Sequence, residues 1–267
     1  MHEVLAVPAG AIVGLILGLI GGGGSVLAVP LLVYAVGVPS PHVALGTSAL
    51  GVSLSAAANL VQHARAGRVR WPCAGVFTPA GMLGAAAGSA VAQHVNGQRL
   101  LAAFGVLMLI VGAAMLRRRS AQGDPALRLS RANARWMAPR LVLAGFSVGL
   151  LSGFFGIGGG FLIVPALLAA TGMTLQAAMA TSLVAVCAFG ATTAAGYASV
   201  GMIDGGLAMR FLAGGLVGGL VGTACVGWLG DRTRPLTWLF GGLVIATGLY
   251  VLWRAGTAIL SGQPSVS

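Results

Sequence analysis

Charge is what this sequence has least of. Of its 267 residues, only 7% are Asp, Glu, Lys or Arg, where soluble domains carry about 25%. Acid is scarcest: Glu3, Asp124, Asp204 and Asp231 all sit at ends of apolar stretches or between them. A carboxylate proton relay inside an apolar segment therefore has no candidate. Lysine is missing altogether, all 15 basic residues being arginine. The glycine run "GGGGS" thus lacks the lysine of a phosphate-binding loop, which excludes ATP-driven work by this chain alone. Cys73, Cys187 and Cys225 are far apart, with no C-x-x-C pair, so neither a metal site nor redox chemistry is expected. Aromatics make up 6% and do not interleave with the arginines. The net charge of +11 is therefore not a nucleic-acid footprint. The beginning "MHEVLAVPAG" has no basic region, and no cleaved signal peptide is expected. "GLLSG" has the wrong spacing for a serine hydrolase, and an enzyme is not expected.

What is abundant is apolar residue and glycine. The chain is 57% apolar with 44 glycines and a mean hydropathy of +0.96. Apolar segments fall at about 6–36, 42–63, 72–92, 99–116, 140–171, 175–198, 205–228 and 236–254. Runs of this length are membrane-span candidates. The expected fold is an all-α polytopic membrane protein made of two repeats. Residues 1–116 form the first repeat, 117–139 a basic linker and 140–267 the second repeat. The stretch Arg117–Arg140 holds seven arginines against one aspartate, which assigns it to the cytoplasm.

The halves are copies. A shift of 135 residues lays Gly14–Gly37 on Gly149–Gly172 with 12 of 24 positions identical, against about two or three from composition alone. After a one-residue gap, Thr47-Ser48 falls on Thr181-Ser182, and Gly67, Gly81, Gly84 and Gly88 fall on Gly201, Gly215, Gly218 and Gly222. Segments one and five are about 30 residues each, too long for one straight crossing and too short for two. A broken span makes the repeats parallel; a re-entrant hairpin makes them inverted. Both leave 12 arginines inside. The inverted form is favoured because it brings two glycine tips to the midplane from opposite faces.

Four consecutive glycines cost a helix roughly 1 kcal/mol each against alanine, so "GLIGGGGSVLAVP" and "GFFGIGGGFLIVP" mark breaks. A helix restarting after such a break presents unpaired N–H groups, tolerable in a bilayer only inside protein or along a cavity. Its partial positive charge suits an anion. The expected binding set is Gly22, Gly23, Gly24 and Ser25 in the first half, with Gly158, Gly159 and Gly160 in the second. Thr47, Ser48, Thr181 and Ser182 are expected to add hydroxyls. Asn59, Gln62, His63, Thr193 and Tyr197 are candidate pathway residues. Gly81, Gly84, Gly88 and their partners are better explained by close helix packing. His42 and His94 are expected in loops.

The paired glycine motif, "ATS" at Ala180–Ser182 and the boundary Gly67–Trp71 resemble the TauE/SafE, or sulfite exporter (TSUP), family. Length, repeat and basic linker agree over nearly the whole chain. The resemblance implies a bacterial inner-membrane permease for sulfur-containing anions such as sulfite, sulfoacetate or other sulfonates. Two departures stand out: Gly22 where the second repeat has Ile157, and Arg70 where Asp204 stands in the second half.

The expected function is a secondary permease or facilitator without cofactor. Its partners are a small anion and the lipid bilayer, with no nucleic acid; a homo-oligomer is compatible. The alternatives are a permease for another solute, or a non-transporting membrane assembly or sensor protein.

Overall fold

The computed structural model describes residues 5–20, 22–117, 134–158, 160–229 and 233–260. Everything regular among them is helical. In the first half, α1 spans Ala6–Ile20, and a tight 3-10 turn follows over Gly22–Leu27. It leads through a single turn, α2 (Ala28–Pro30), into a widened π segment over Leu31–Val36. Then come α3 (Pro41–Arg65), α4 (Trp71–Ala92) and α5 (Gly97–Arg117). The second half comprises α6 (Ala134–Phe155), α7 (Gly160–Thr171), α8 (Leu175–Ala198), α9 (Gly205–Leu229) and α10 (Thr233–Leu260).

Helices α3, α4, α5, α6, α8 and α9 are long and apolar enough to cross a membrane. The 15 residues of α1 reach only about 22 Å, short of the roughly 30 Å hydrocarbon core. The long apolar segments expected at 6–36 and 140–171 are each divided in two. Glycine divides them: after α6 the chain turns through Gly156 and Gly158, both left-handed with φ of 63° and 66°.

Helix directions follow from which glycines meet which backbone. A Cβ on Gly10 would strike the Phe211 carbonyl, and one on Gly18 would lie 2.6 Å from the Gly219 carbonyl and 2.9 Å from the Thr223 nitrogen. So α1 and α9 run side by side in the same direction. A Cβ on Gly145 would lie 2.5 Å from the Phe77 carbonyl, and one on Gly153 would strike that of Ala85, so α6 and α4 are likewise parallel. Gly51 faces Phe211 and Gly219 faces Asn59, which makes α3 parallel to α9. Helix α8 runs against α3, with Gly46 beside Tyr197 and Gly190 beside Ala49. It runs with α4, Phe189 lying at Gly81 and Gly196 at Ser89. Gly105 meets Gly248 and Gly112 meets Ile245, so α5 and α10 are antiparallel.

Since α1 and α3 share one direction, the chain between them must turn back. It does: Gly24 lies against α1, where a Cβ would come 2.5 Å from the Leu17 nitrogen and 2.6 Å from the Val13 carbonyl. Segment one is a re-entrant hairpin. Each helix of the first half therefore runs opposite to its counterpart in the second, and the main interfaces (α1 with α9, α4 with α6, α3 with α8, α5 with α10) all join the two halves.

Among the described residues, these directions put Arg65, Arg68, Arg70, Arg117, Arg140 and Arg234 at one side, with Arg99, Arg210 and Arg254 toward the other. The positive-inside rule assigns the first side to the cytoplasm as an expectation, which the fusion experiment below tests. Trp71 and Trp136, exposed at the starts of α4 and α6, and Trp253, exposed near the end of α10, suit the amphipathic interface where indoles settle.

Candidate functional site

Both hairpin tips lie in the interior. In the second half, α6 ends with the Ile157 N–H donating to the Ser152 carbonyl at 3.2 Å. The left-handed turn at Gly156 and Gly158 then brings the chain to Gly160, the buried first residue of α7. Gly159 lies outside the described residues. A Cβ on Gly156 would lie 2.6 Å from Leu45; one on Gly158 would lie 3.3 Å from a Val52 methyl and 3.5 Å from a Val186 methyl. Val52 and Val186 occupy equivalent places on α3 and α8, so this tip sits where those helices cross. In the first half Gly22, Gly23, Gly24 and Ser25 form the 3-10 turn, with Gly24 and Ser25 buried. Helix α7 packs against that turn. The first tip thus touches the helix that the second tip begins.

The Thr–Ser pairs are engaged with backbone. Thr47 Oγ1 accepts the Asp204 N–H at 3.2 Å, and Thr181 Oγ1 accepts the Arg70 N–H at 3.0 Å. Each threonine thus secures the chain entering a helix of the other half. Asp204 adds its own cap, with Oδ1 accepting the Leu207 N–H at 2.9 Å; Arg70, at the same place before α4, makes no side-chain cap. Ser182 Oγ donates back to the Met179 carbonyl at 2.7 Å. Ser48 Oγ lies 2.9 Å from the Leu45 carbonyl and 3.1 Å from that of Gly156, which ties α3 to the second tip. Of the four hydroxyls, that of Ser48 reaches a tip, the two threonines brace the chain of the opposite half, and Ser182 bonds within its own helix.

The candidate pathway residues divide between the two sides. Asn59 and half-buried Gln62 and His63 lie on the cytoplasmic half of α3. Thr193 and Tyr197 lie on the opposite half of α8, fully buried. The Asn59 Nδ2, His63 Nδ1, Thr193 Oγ1 and Tyr197 hydroxyl atoms are buried without a hydrogen-bond partner. His42, expected in a loop, stands in the first turn of α3, its Nε2 3.1 Å from the Val95 carbonyl. Pro41 at the start of that helix already favours helical φ, so the turn begins one step early.

Two contacts and one unpartnered hydroxyl escape a motif reading. Ser53 Oγ donates to the Cys187 carbonyl at 2.7 Å. Phe77 and Phe189 stack with ring centroids 5.9 Å apart. Ser55 Oγ is buried without a partner. Ser53 and Cys187 are separated by 134 residues, the same offset as Thr47 and Thr181, so extending the repeat alignment by six residues finds them. A cavity of about 500 Å³ opens elsewhere, between Leu50, Ala194, Ala198 and Ile203. Its walls are apolar, and it lies away from the tips.

Among the described residues, the fully buried polar groups belong to serine, threonine, asparagine and Tyr197, with no ionised group. No cluster of three or more His, Cys, Asp or Glu occurs among them. A helical bundle that crosses the bilayer many times around two re-entrant glycine tips belongs to the class of multi-pass membrane transporters. Within it, this chain belongs to the sulfite exporter TauE/SafE family, whose model matches residues 6–251. It is 44% identical over 262 residues to a probable membrane transporter protein of Xylella fastidiosa, covering 97% of this chain and 98% of that one. It is 26% identical to the probable membrane transporter protein YunE of Bacillus subtilis, covering 84% of this chain and 88% of that one. No solved structure matches.

Proposed function

We propose that this transporter carries small sulfur-containing anions (sulfite, sulfoacetate or related sulfonates) across the bacterial inner membrane as a secondary permease or facilitator. The observation that carries the proposal is the packing of α7, which starts at the second glycine tip, against the first glycine turn, with no ionised side chain among the fully buried described residues. A buried carboxylate would repel an anion, and a buried arginine would hold it too firmly to release. Backbone N–H groups at helix starts give an intermediate field, about half a unit charge per helix. Glycine lets the solute approach that backbone directly.

In this mechanism the anion rests between Gly22–Gly24 and Gly158–Gly160. The hydroxyls of Thr47, Ser48, Thr181 and Ser182 hold the surrounding helices rather than the solute. Access alternates as one half moves against the other around a fixed midplane site. Without a membrane-embedded carboxylate, a proton enters the cycle only on the solute.

The test is flux of radiolabelled sulfite and sulfoacetate in proteoliposomes of the purified protein. Saturable flux of either, inhibited by the other and lost in Gly158→Leu, supports the proposal. Saturable flux of a cation or neutral solute, with neither anion competing, overturns it.

A further inference from the structure

The cavity of about 500 Å³ lies on the face of α3 and α8 turned away from the tips. Val52 and Val186 point at the second tip. Leu50 precedes Val52 by two residues and Ala195 follows Val186 by nine. At about 100° per residue, each falls on the opposite side of its helix. Behind the cavity Gly46 meets Tyr197 and Gly190 meets Ala49, so α3 is closed on α8 between the cavity and the tips. From Ala191 past Ala195 to Ala198 the cavity follows about 10 Å of helix rise. Gly201 and Ile203 line its end, on the side of Arg99, Arg210 and Arg254.

The matched cleft of the other half is built differently. Leu60 and Val61 of α3 stand where α8 has Ala194 and Ala195, and they have the bulk to fill the corresponding space. The alanines are what leave the cavity open. Leucine, isoleucine, alanine and glycine make up its wall, which offers no side-chain donor to an anion. The hydroxyls next to it are engaged with their own helix: Thr192 Oγ1 donates to the Ala188 carbonyl and Ser199 Oγ to that of Gly196, each at 2.8 Å. Left unfilled, a space of this size forfeits dispersion contacts along its whole length. A second copy does not fill it, because around a twofold axis along the membrane normal it meets this face at its own depth, with the same alanines. Lipid tails are the apolar material available there.

We propose that this cleft is a binding site for one lipid acyl chain, wedged between α3 and α8 in the leaflet on the Arg99 side. Since lipid tails are as apolar as the wall, packing against the alanines holds the chain, rather than the hydrophobic effect. Leu50 belongs to the first half and the alanines to the second, so the chain joins the two halves on the face opposite the solute tips. Such a site is independent of which solute crosses.

The test uses the purified full chain in phosphatidylcholine vesicles, part of whose lipid carries a mid-chain diazirine. After irradiation, adducts are located by peptide mass spectrometry. Adducts on Leu50 and on residues 191–203 are expected several-fold above those on Leu83 and Val217, which are exposed on other helices. Ala194→Leu/Ala195→Val copies the matched cleft and should lower the signal to the level of those controls. Ala191→Leu, a single change at an exposed position, should lower it as well and serves where the double variant fails to fold. Added phosphatidylcholine should raise the thermal stability of the detergent-purified wild type by more than that of either variant. Uniform labelling of the exposed helix faces, or cleft labelling undiminished in a folded variant, would overturn the proposal. So would a disulfide-linked dimer of Ala195→Cys in membranes, made with the native cysteines changed to alanine, because a second copy would then occupy the cleft.

Discussion

Ser53 and Cys187 hold the same position in the two halves and touch each other, the serine hydroxyl donating to the Cys187 carbonyl over 2.7 Å. Two equivalent residues can meet only on the pseudo-symmetry axis that exchanges the halves. That axis therefore passes through the α3–α8 crossing, beside the second glycine tip. Close approach there depends on Gly190, where a Cβ would come 2.9 Å from both the Ala49 carbonyl and the Ser53 Cβ. Gly190→Val is expected to wedge the crossing apart. Overpacking of this kind costs about 1–3 kcal/mol, read as an earlier loss of the monodisperse gel-filtration peak on heating. Unchanged thermal stability would contradict the assigned contact.

The two threonine braces should behave as structure. Thr47→Val removes the acceptor of the Asp204 N–H, and Thr181→Val that of the Arg70 N–H. Both bonds are only partly buried, so losing one costs about 0.5–1.5 kcal/mol. Each variant should lower thermal stability while leaving the apparent solute affinity unchanged in flux assays. A large rise in KM with native stability would instead place that hydroxyl on the solute.

Gly158→Leu is expected to insert normally and to transport nothing. Its left-handed backbone disfavours any side chain by about 1–2 kcal/mol, and the new atoms would press on Val52 and Val186. Gly218→Leu should fail earlier, because its Cβ would collide with the Ala11 carbonyl along the α1–α9 contact. Comparing membrane yield with flux separates the two outcomes; native flux in an inserted Gly158→Leu protein would remove the tip from the site.

Asp204 caps α9 through the Leu207 N–H. Asp204→Ala should cost about 1 kcal/mol, with Asp204→Asn recovering most of it because the amide oxygen still accepts. Thermal unfolding of the three proteins side by side reads this directly.

Topology is open to a fusion test. An alkaline phosphatase joined after Ser267 should be active, and one inserted in the stretch Arg117–Arg140 inactive. The opposite pair of activities would contradict the helix directions.

The glycine breaks are legible in the sequence because their cost inside a helix is local: nothing but a break explains "GGGGS" and its copy within apolar stretches. The choice between a broken span and a hairpin is not local. It turns on Gly24 packing back onto Val13 and Leu17, a contact that hydropathy does not encode. The hydroxyls of Thr47 and Thr181 are legible as matched pairs, but their partners lie 157 and 111 residues away. Only the assembled crossing shows that they brace backbone.

Because α1 lies on α9 and α4 on α6, the first half has no complete interior of its own. Its glycine grooves close only when residues 134–229 have been made and inserted in the opposite sense. Assembly quality thus rests on the orientation of the later half, and the arginines around residues 117–140 guard biogenesis before any solute is met. A chain that inverted its second half would still span the bilayer with the same apolar helices, yet Gly10, Gly14 and Gly18 would find no partner.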